Sequence, residues 1–92
     1  MEEFSFEWDA IKAQTNAEKH AVTFEEAVTI FYDPFLLTFL DEDHSDTEER
    51  FLSIGRSERD RILLVVHTDR DDSIRLISCR KATVAERKTY EQ

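Results

Sequence analysis

The sequence has almost nothing with which to break or cross-link a chain. Its 92 residues include one glycine, Gly55, one proline, Pro34, and one cysteine, Cys79. A single cysteine excludes an intramolecular disulfide and a cysteine-rich zinc site, and such usage fits a reducing compartment. A single glycine excludes a glycine-rich phosphate loop, and nucleotide-fuelled chemistry with it. Few breakers mean few long loops and much regular structure. No apolar run approaches the roughly 20 residues that a membrane span needs. The opening MEEFSFEWD is acidic where a secretory signal is basic. The expectation is one soluble domain over residues 1–92, in the cytoplasm.

What is present is a folding composition, 40% apolar with seven Phe. The charge is acidic overall, −9, but segregated. Residues 1–40 carry eight acids and two bases (−6), residues 41–49 six acids and no base (−6), and residues 50–92 seven acids and ten bases (+3). The total argues against a nonspecific nucleic-acid binder. The C-terminal half alone does not, because a local basic face binds phosphate whatever the rest of the surface carries.

Periodicity supplies the elements. Residues 4–8 alternate apolar and polar and predict a short strand. Asp9 is a good N-cap, and residues 10–19 favour a weakly apolar surface helix. Thr23 and Glu26 have capping-box spacing, and Phe24, Ala27, Val28 and Phe31 then form an amphipathic stripe that ends before Pro34. Residues 35–40, 50–57, 61–68 and 73–80 predict four further strands, the fourth of the set of five central because residues 62–66 are apolar throughout. Residues 41–49 have no apolar member and predict a solvated loop. Thr83 and Glu86 repeat the capping-box spacing and start a C-terminal helix. The expected fold is α+β: a small antiparallel sheet of four to five strands with two N-terminal helices and one C-terminal helix. Helices cover one face, and a site forms on the other, partly open one.

Candidate chemistry gathers on residues 73–83. Strict alternation points Arg75, Ile77, Cys79 and Lys81 one way and Ile74, Leu76, Ser78 and Arg80 the other. Arginine suits phosphate because its planar fork donates two parallel hydrogen bonds; the plainer reading is a solvated or acid-paired arginine. His67, at the end of the apolar run, is either a general acid–base group near neutral pH or a histidine held by backbone. Glu49 beside Arg50 is a proton-transfer carboxylate or a surface ion-pair partner. His44 among mobile acids makes a poor metal site, without the glycine and ligand alternation of a calcium loop, so no metal and no cofactor is expected. Lys19-His20 suits a helix C-terminus electrostatically and is also available to a substrate or partner. Cys79 reads as a small core residue.

Taken in order, Phe6-Glu7-Trp8-Asp9, Lys12, Asn16, Lys19-His20, Phe24-Glu25-Glu26-Ala27, Phe31, Asp33-Pro34, Asp43-His44-Ser45, Glu49-Arg50-Phe51, Ile54-Gly55, Val66-His67-Thr68, Arg75, Ile77-Ser78, Arg80, Ala82-Thr83, Glu86-Arg87 and Tyr90 resemble the BrnT family, toxins of type II toxin–antitoxin pairs. Each piece is weak; their order and spacing are specific. The resemblance implies a RelE-like fold and a metal-independent endoribonuclease that arrests growth by cutting cellular RNA. It implies a BrnA-like antitoxin with a ribbon-helix-helix domain, and promoter DNA bound only through that antitoxin. The family usually has Gly after the Lys-His pair, whereas Ala21 stands here. Alanine disfavours a left-handed helix end and predicts a different link between the first two helices.

Metal-free RNA cleavage needs a base for the 2′-hydroxyl, a cation for the phosphorane and an acid for the leaving oxygen. Arg75 and Arg80 are assigned to charge stabilisation, His67 or Glu49 to proton transfer, and Arg50, Lys81 and Lys19 to the RNA backbone. The alternative is a non-catalytic or degenerate binding module whose acidic surface holds a basic protein partner.

Overall fold

The computed structural model describes residues 4–44 and 48–92. The strands are β1 (Ser5–Glu7), β2 (Leu37–Leu40), β3 (Phe51–Arg56), β4 (Ile62–Arg70) and β5 (Ser73–Lys81); the helices are α1 (Ala10–His20), α2 (Phe24–Thr29) and α3 (Val84–Tyr90). Their order is the expected β-α-α-β-β-β-β-α. Single 3-10 turns occupy Ile30–Tyr32 and Glu42–His44. Residues 45–47 of the acidic loop, and Ser45 of the family pattern, lie outside the described residues.

The sheet order is β1-β5-β4-β3-β2. β2 to β5 pair antiparallel, as expected. β1 instead joins β5 in parallel, with Glu7 opposite Arg75, so the sheet is mixed. The reason is connectivity. β1 is the one strand not followed directly by its sheet neighbour: α1, α2 and strands β2 to β4 lie between it and β5 in the chain, a connection long enough for parallel pairing. The two-residue link Asp71-Asp72 closes the β4–β5 hairpin, with Asp71 at φ 54°. Aspartate tolerates that left-handed conformation better than most residues.

α1 and α2 cover one face. Val22, Phe24, Ala27, Ile30 and Phe31 pack there on Leu63, Val65, Leu76 and Cys79. On the second face, a smaller cluster of Ile54, Ile62 and Leu64 packs with Leu52, Val66, Ala82 and Tyr90 beside α3. Gly55 makes close approach possible on the first face: a Cβ there would sit 3.0 Å from Ile30 Cβ and 3.0 Å from Leu36 Cδ1.

The helix ends match their sequence signals unevenly. Asp9 accepts from the Ile11 amide at 3.2 Å. Thr83 and Glu86 form a complete capping box. The Thr23 hydroxyl accepts from the Glu26 amide, but the Glu26 carboxylate does not return to the cap. It is 3% exposed and takes hydrogen bonds from both sides of the Arg61 guanidinium and from the Ser57 hydroxyl. A buried carboxylate demands a charged partner, and the arginine fork outcompetes a backbone amide. The Arg61 and Ser57 bonds hold the Glu26 carboxyl below its ordinary value against the opposing effect of burial.

Ala21 corrects one expectation. It adopts the left-handed conformation regardless, φ 57° and ψ 32°, with its amide donating to Ala17 O. The α1–α2 link is therefore the glycine-type link built with alanine. The Arg61 guanidinium donates to the Ala21 carbonyl at 3.3 Å, which helps hold it there.

Candidate functional site

β5 carries a bulge. Val66 pairs with Ser78 and His67 with Leu76, leaving Ile77 without a partner on β4. The extra residue breaks strict alternation. Leu76 and Cys79 consequently both face the helix-covered core. Arg75, Ser78 and Arg80, opposite Thr68, Val66 and Leu64, share the second face. The expectation that Arg75 and Arg80 point apart is thereby reversed, for a reason that no period-two pattern contains. About 13 Å of strand separates them, from four paired steps.

Each arginine meets a carboxylate on that face. Arg80 Nη1 and Nη2 donate to Glu86 Oε1 and Oε2 at 2.8 and 2.9 Å. This fork raises the Arg80 pKa and lowers that of Glu86. Arg75 Nη1 lies 3.6 Å from Glu7 Oε1, and Arg70 Nε lies 3.9 Å from the same oxygen. Arg70 also reaches Glu48 at 3.9 Å. Glu7 Oε1 is buried between the Arg75 and Arg70 guanidinium groups, beyond hydrogen-bond distance of either. Beside these charges runs an apolar groove of about 320 Å³ between the sheet and α3, lined by Phe39, Leu52, Ile54, Leu64, Ala85 and Thr89. Asp33 fastens this side of the molecule. It accepts from Tyr90 Oη at 2.5 Å and from the Arg56 amide at 2.8 Å, tying α3 to β3.

The other expected residues are dispersed. His67 lies on the first face, 5% exposed, with Nε2 2.7 Å from Ser53 Oγ. Ser53 continues to Thr38 Oγ1 at 2.8 Å. The imidazole stacks on Phe51 and meets Phe31 edge-on. Burial, opposed by nearby Asp69, pushes its pKa down to about 4, so it is neutral at pH 7. The sheet stands between this ring and the arginines. Glu49 is exposed just before β3, its carbonyl accepting from Thr68 Oγ1 at 2.6 Å. Arg50, half-buried, adjoins β3, its carbonyl accepting from the Asp41 amide. Lys81 is exposed at the end of β5, opposite Leu63, and Lys19 is exposed in the last turn of α1. Cys79 is a core residue, 1% exposed, its thiol pushed up to about 11 by burial.

Sequence reasoning missed Glu7, Arg70 and Asn16. Ser5 and Glu7 do alternate with Phe6 and Trp8, so the outward face of β1 was legible; its neighbour was not. Asn16, 6% exposed, substitutes for a missing strand. β1 reaches only residues 73–75 of β5, and beyond it the Asn16 amide donates to Cys79 O at 2.9 Å and accepts from the Cys79 amide at 3.0 Å. A buried asparagine in a helix interior is the signal that such a partner exists.

Residues 8–86 match the family model of the ribonuclease toxin BrnT of type II toxin–antitoxin systems. Among solved structures, the crystal structure of the Brucella abortus ribonuclease toxin BrnT is similar, with a TM-score of 0.67 and 23% identity, covering 88% of this chain and 99% of that one. This second likeness is one of fold. No curated protein matches. Among the described residues, no helix is long and apolar enough to cross a membrane.

Proposed function

Because the chain belongs to the BrnT family of ribonuclease toxins of type II toxin–antitoxin systems, we propose that it cleaves cellular RNA on the second face of its sheet, without a metal. The observation that carries this reading is the β5 bulge, which brings Arg75 and Arg80 to one face with a carboxylate beside each. Two guanidinium groups stabilise the charge that builds on a phosphorane. Glu7, part-exposed and beside Arg75, takes the 2′-hydroxyl proton. The 2′-oxygen then attacks phosphorus, the bond from phosphorus to the 5′-oxygen breaks, and that oxygen leaves with a proton from water, whose hydroxide takes the proton back from Glu7, giving a 2′,3′-cyclic phosphate and a 5′-hydroxyl. Glu49 is the second carboxylate of the reading, at the entry to β3. His67 is neutral and walled off by the sheet, so the reading gives the proton step to carboxylates and gives His67 the packing of Phe51 and Ser53. Arg50, Lys81 and Lys19 bind RNA backbone.

The neutralising partner in this reading is a BrnA-like ribbon-helix-helix antitoxin, with DNA engaged only through it, and the compartment is the cytoplasm, where the RNA is. Expressing the chain without its antitoxin should arrest growth. Arg80→Ala, with its circular dichroism unchanged, should abolish that arrest; full toxicity would remove Arg80 from the mechanism.

A second reading has its own support. Both arginines already have carboxylate partners, and the chain carries −9, which suits a non-catalytic module that holds a basic protein. Under it, the wild-type chain expressed alone is harmless and purified protein leaves RNA intact in EDTA.

A further inference from the structure

Lys12 and Lys19 are the only Lys or Arg in the first 40 residues, and both lie on α1. Seven residues apart, they share one helix face with Thr15 between them. Together with His20 they line a groove of about 260 Å³ whose other wall is Ile77 and Ser78 of β5. The groove exists because β1 is short. Past Arg75 no strand among the described residues lies beside the edge of β5, and α1 lies along it, joined by the Asn16 amide.

The helix dipole does not explain this pair. It favours Lys19 and His20 in the last turn of α1, but Lys12 sits in the first turn, where a cation is disfavoured. Nor do ion pairs explain it. Among the described residues, the arginines of the second face all have carboxylates within 4 Å, whereas neither lysine of the groove has one. Both lysines are exposed. The groove is also continuous with the arginine face: Ser78 lines it and, opposite Val66, belongs to the same face as Arg75 and Arg80.

We infer that this groove is a phosphate-binding subsite for single-stranded RNA, taking the backbone where it leaves the Arg75–Arg80 face around the free edge of β5. The inference rests on the ribonuclease reading and extends the substrate's path beyond the reacting phosphate. Lys12 and Lys19 are the phosphate partners, and the Thr15 and Ser78 hydroxyls are the neutral donors. Such contacts are made alike in the ground and transition states, so they act on KM and not on kcat.

The test is Lys12→Gln/Lys19→Gln, which keeps helix-forming residues at both positions. Binding of a non-cleavable 2′-O-methyl oligoribonucleotide is measured against salt concentration, and cleavage of the unmodified strand is measured in parallel. The expected result is a salt slope shallower by about 1.4, from two phosphate contacts at roughly 0.7 each, and a KM raised roughly tenfold at constant kcat. Each single variant should lose about half the slope change, which guards against a fold effect in the pair. An unchanged slope and KM overturn the inference, even if the pair weakens antitoxin binding instead. Arg75→Ala and Arg80→Ala in the same assay separate the two failures. If they abolish cleavage while the lysine pair behaves as wild type, the groove alone is wrong; if they too are silent, the ribonuclease reading falls with it.

Discussion

Ala21 holds a conformation in which its Cβ crowds the backbone, at a cost of roughly 1–2 kcal/mol for a residue other than glycine. Glycine would remove that strain but enlarge the unfolded ensemble by about 0.4–1 kcal/mol. Ala21→Gly should therefore stabilise the fold by about 0.5–1 kcal/mol, read as a higher urea midpoint with an unchanged m-value. His67 yields a pH prediction. Its folded pKa, about 4, lies below the ordinary histidine value of 6.5, so between these values the unfolded chain binds more protons. Its stabilising contribution is complete above pH 6.5 and is lost as pH falls toward 4, up to about 3 kcal/mol. Thermal unfolding of the wild type should fall more steeply from pH 6.5 to pH 5 than that of His67→Gln. Equal slopes would mean that the ring is solvated.

The elements are fitted by details of single positions. β3 passes under the 3-10 turn because Gly55 has no side chain, and a methyl group there meets Ile30 and Leu36 at 3.0 Å. Gly55→Ala should cost about 1–3 kcal/mol by overpacking, seen as a lowered Tm. α3 is held at both ends: Glu86 joins its own cap and Arg80, and Tyr90 donates to Asp33. Tyr90→Phe removes the second tie and should cost about 1 kcal/mol, with faster amide exchange in α3 than in β4.

At the scale of the molecule, acid and base are divided between regions. The arginines of β4 and β5 meet the acids of β1, α3 and residue 48 across one face, while most of the negative charge lies elsewhere in the chain. RNA binding then depends on a local field that salt screens within about 10 Å at 0.1 M. Arg75→Ala should lose growth arrest and yet still be bound by the antitoxin in a pull-down with purified partner, since charge removal at one site leaves the acidic surface intact. Loss of both properties would assign Arg75 to the partner interface.

The order of elements, the two helix-starting threonines, the core stripe of α2 and the central position of β4 could be read from the sequence, because periodicity and capping are local and each is written within a few residues. The family was legible as well, since ordered short motifs survive where no single one is informative. Three matters were decided only in three dimensions. The parallel pairing of β1 depends on where the later β2–β5 meander places its last strand. The face of Arg80 depends on one unpaired residue, Ile77, whose bulge answers to β4 and not to its own neighbours in sequence. And Glu26, with the spacing of a cap, turned to Arg61 because burial made a distant cation the stronger partner. Local patterns fix which residues alternate; only the packed sheet decides what lies opposite them, and that pairing is what brings Arg75 and Arg80 onto one surface.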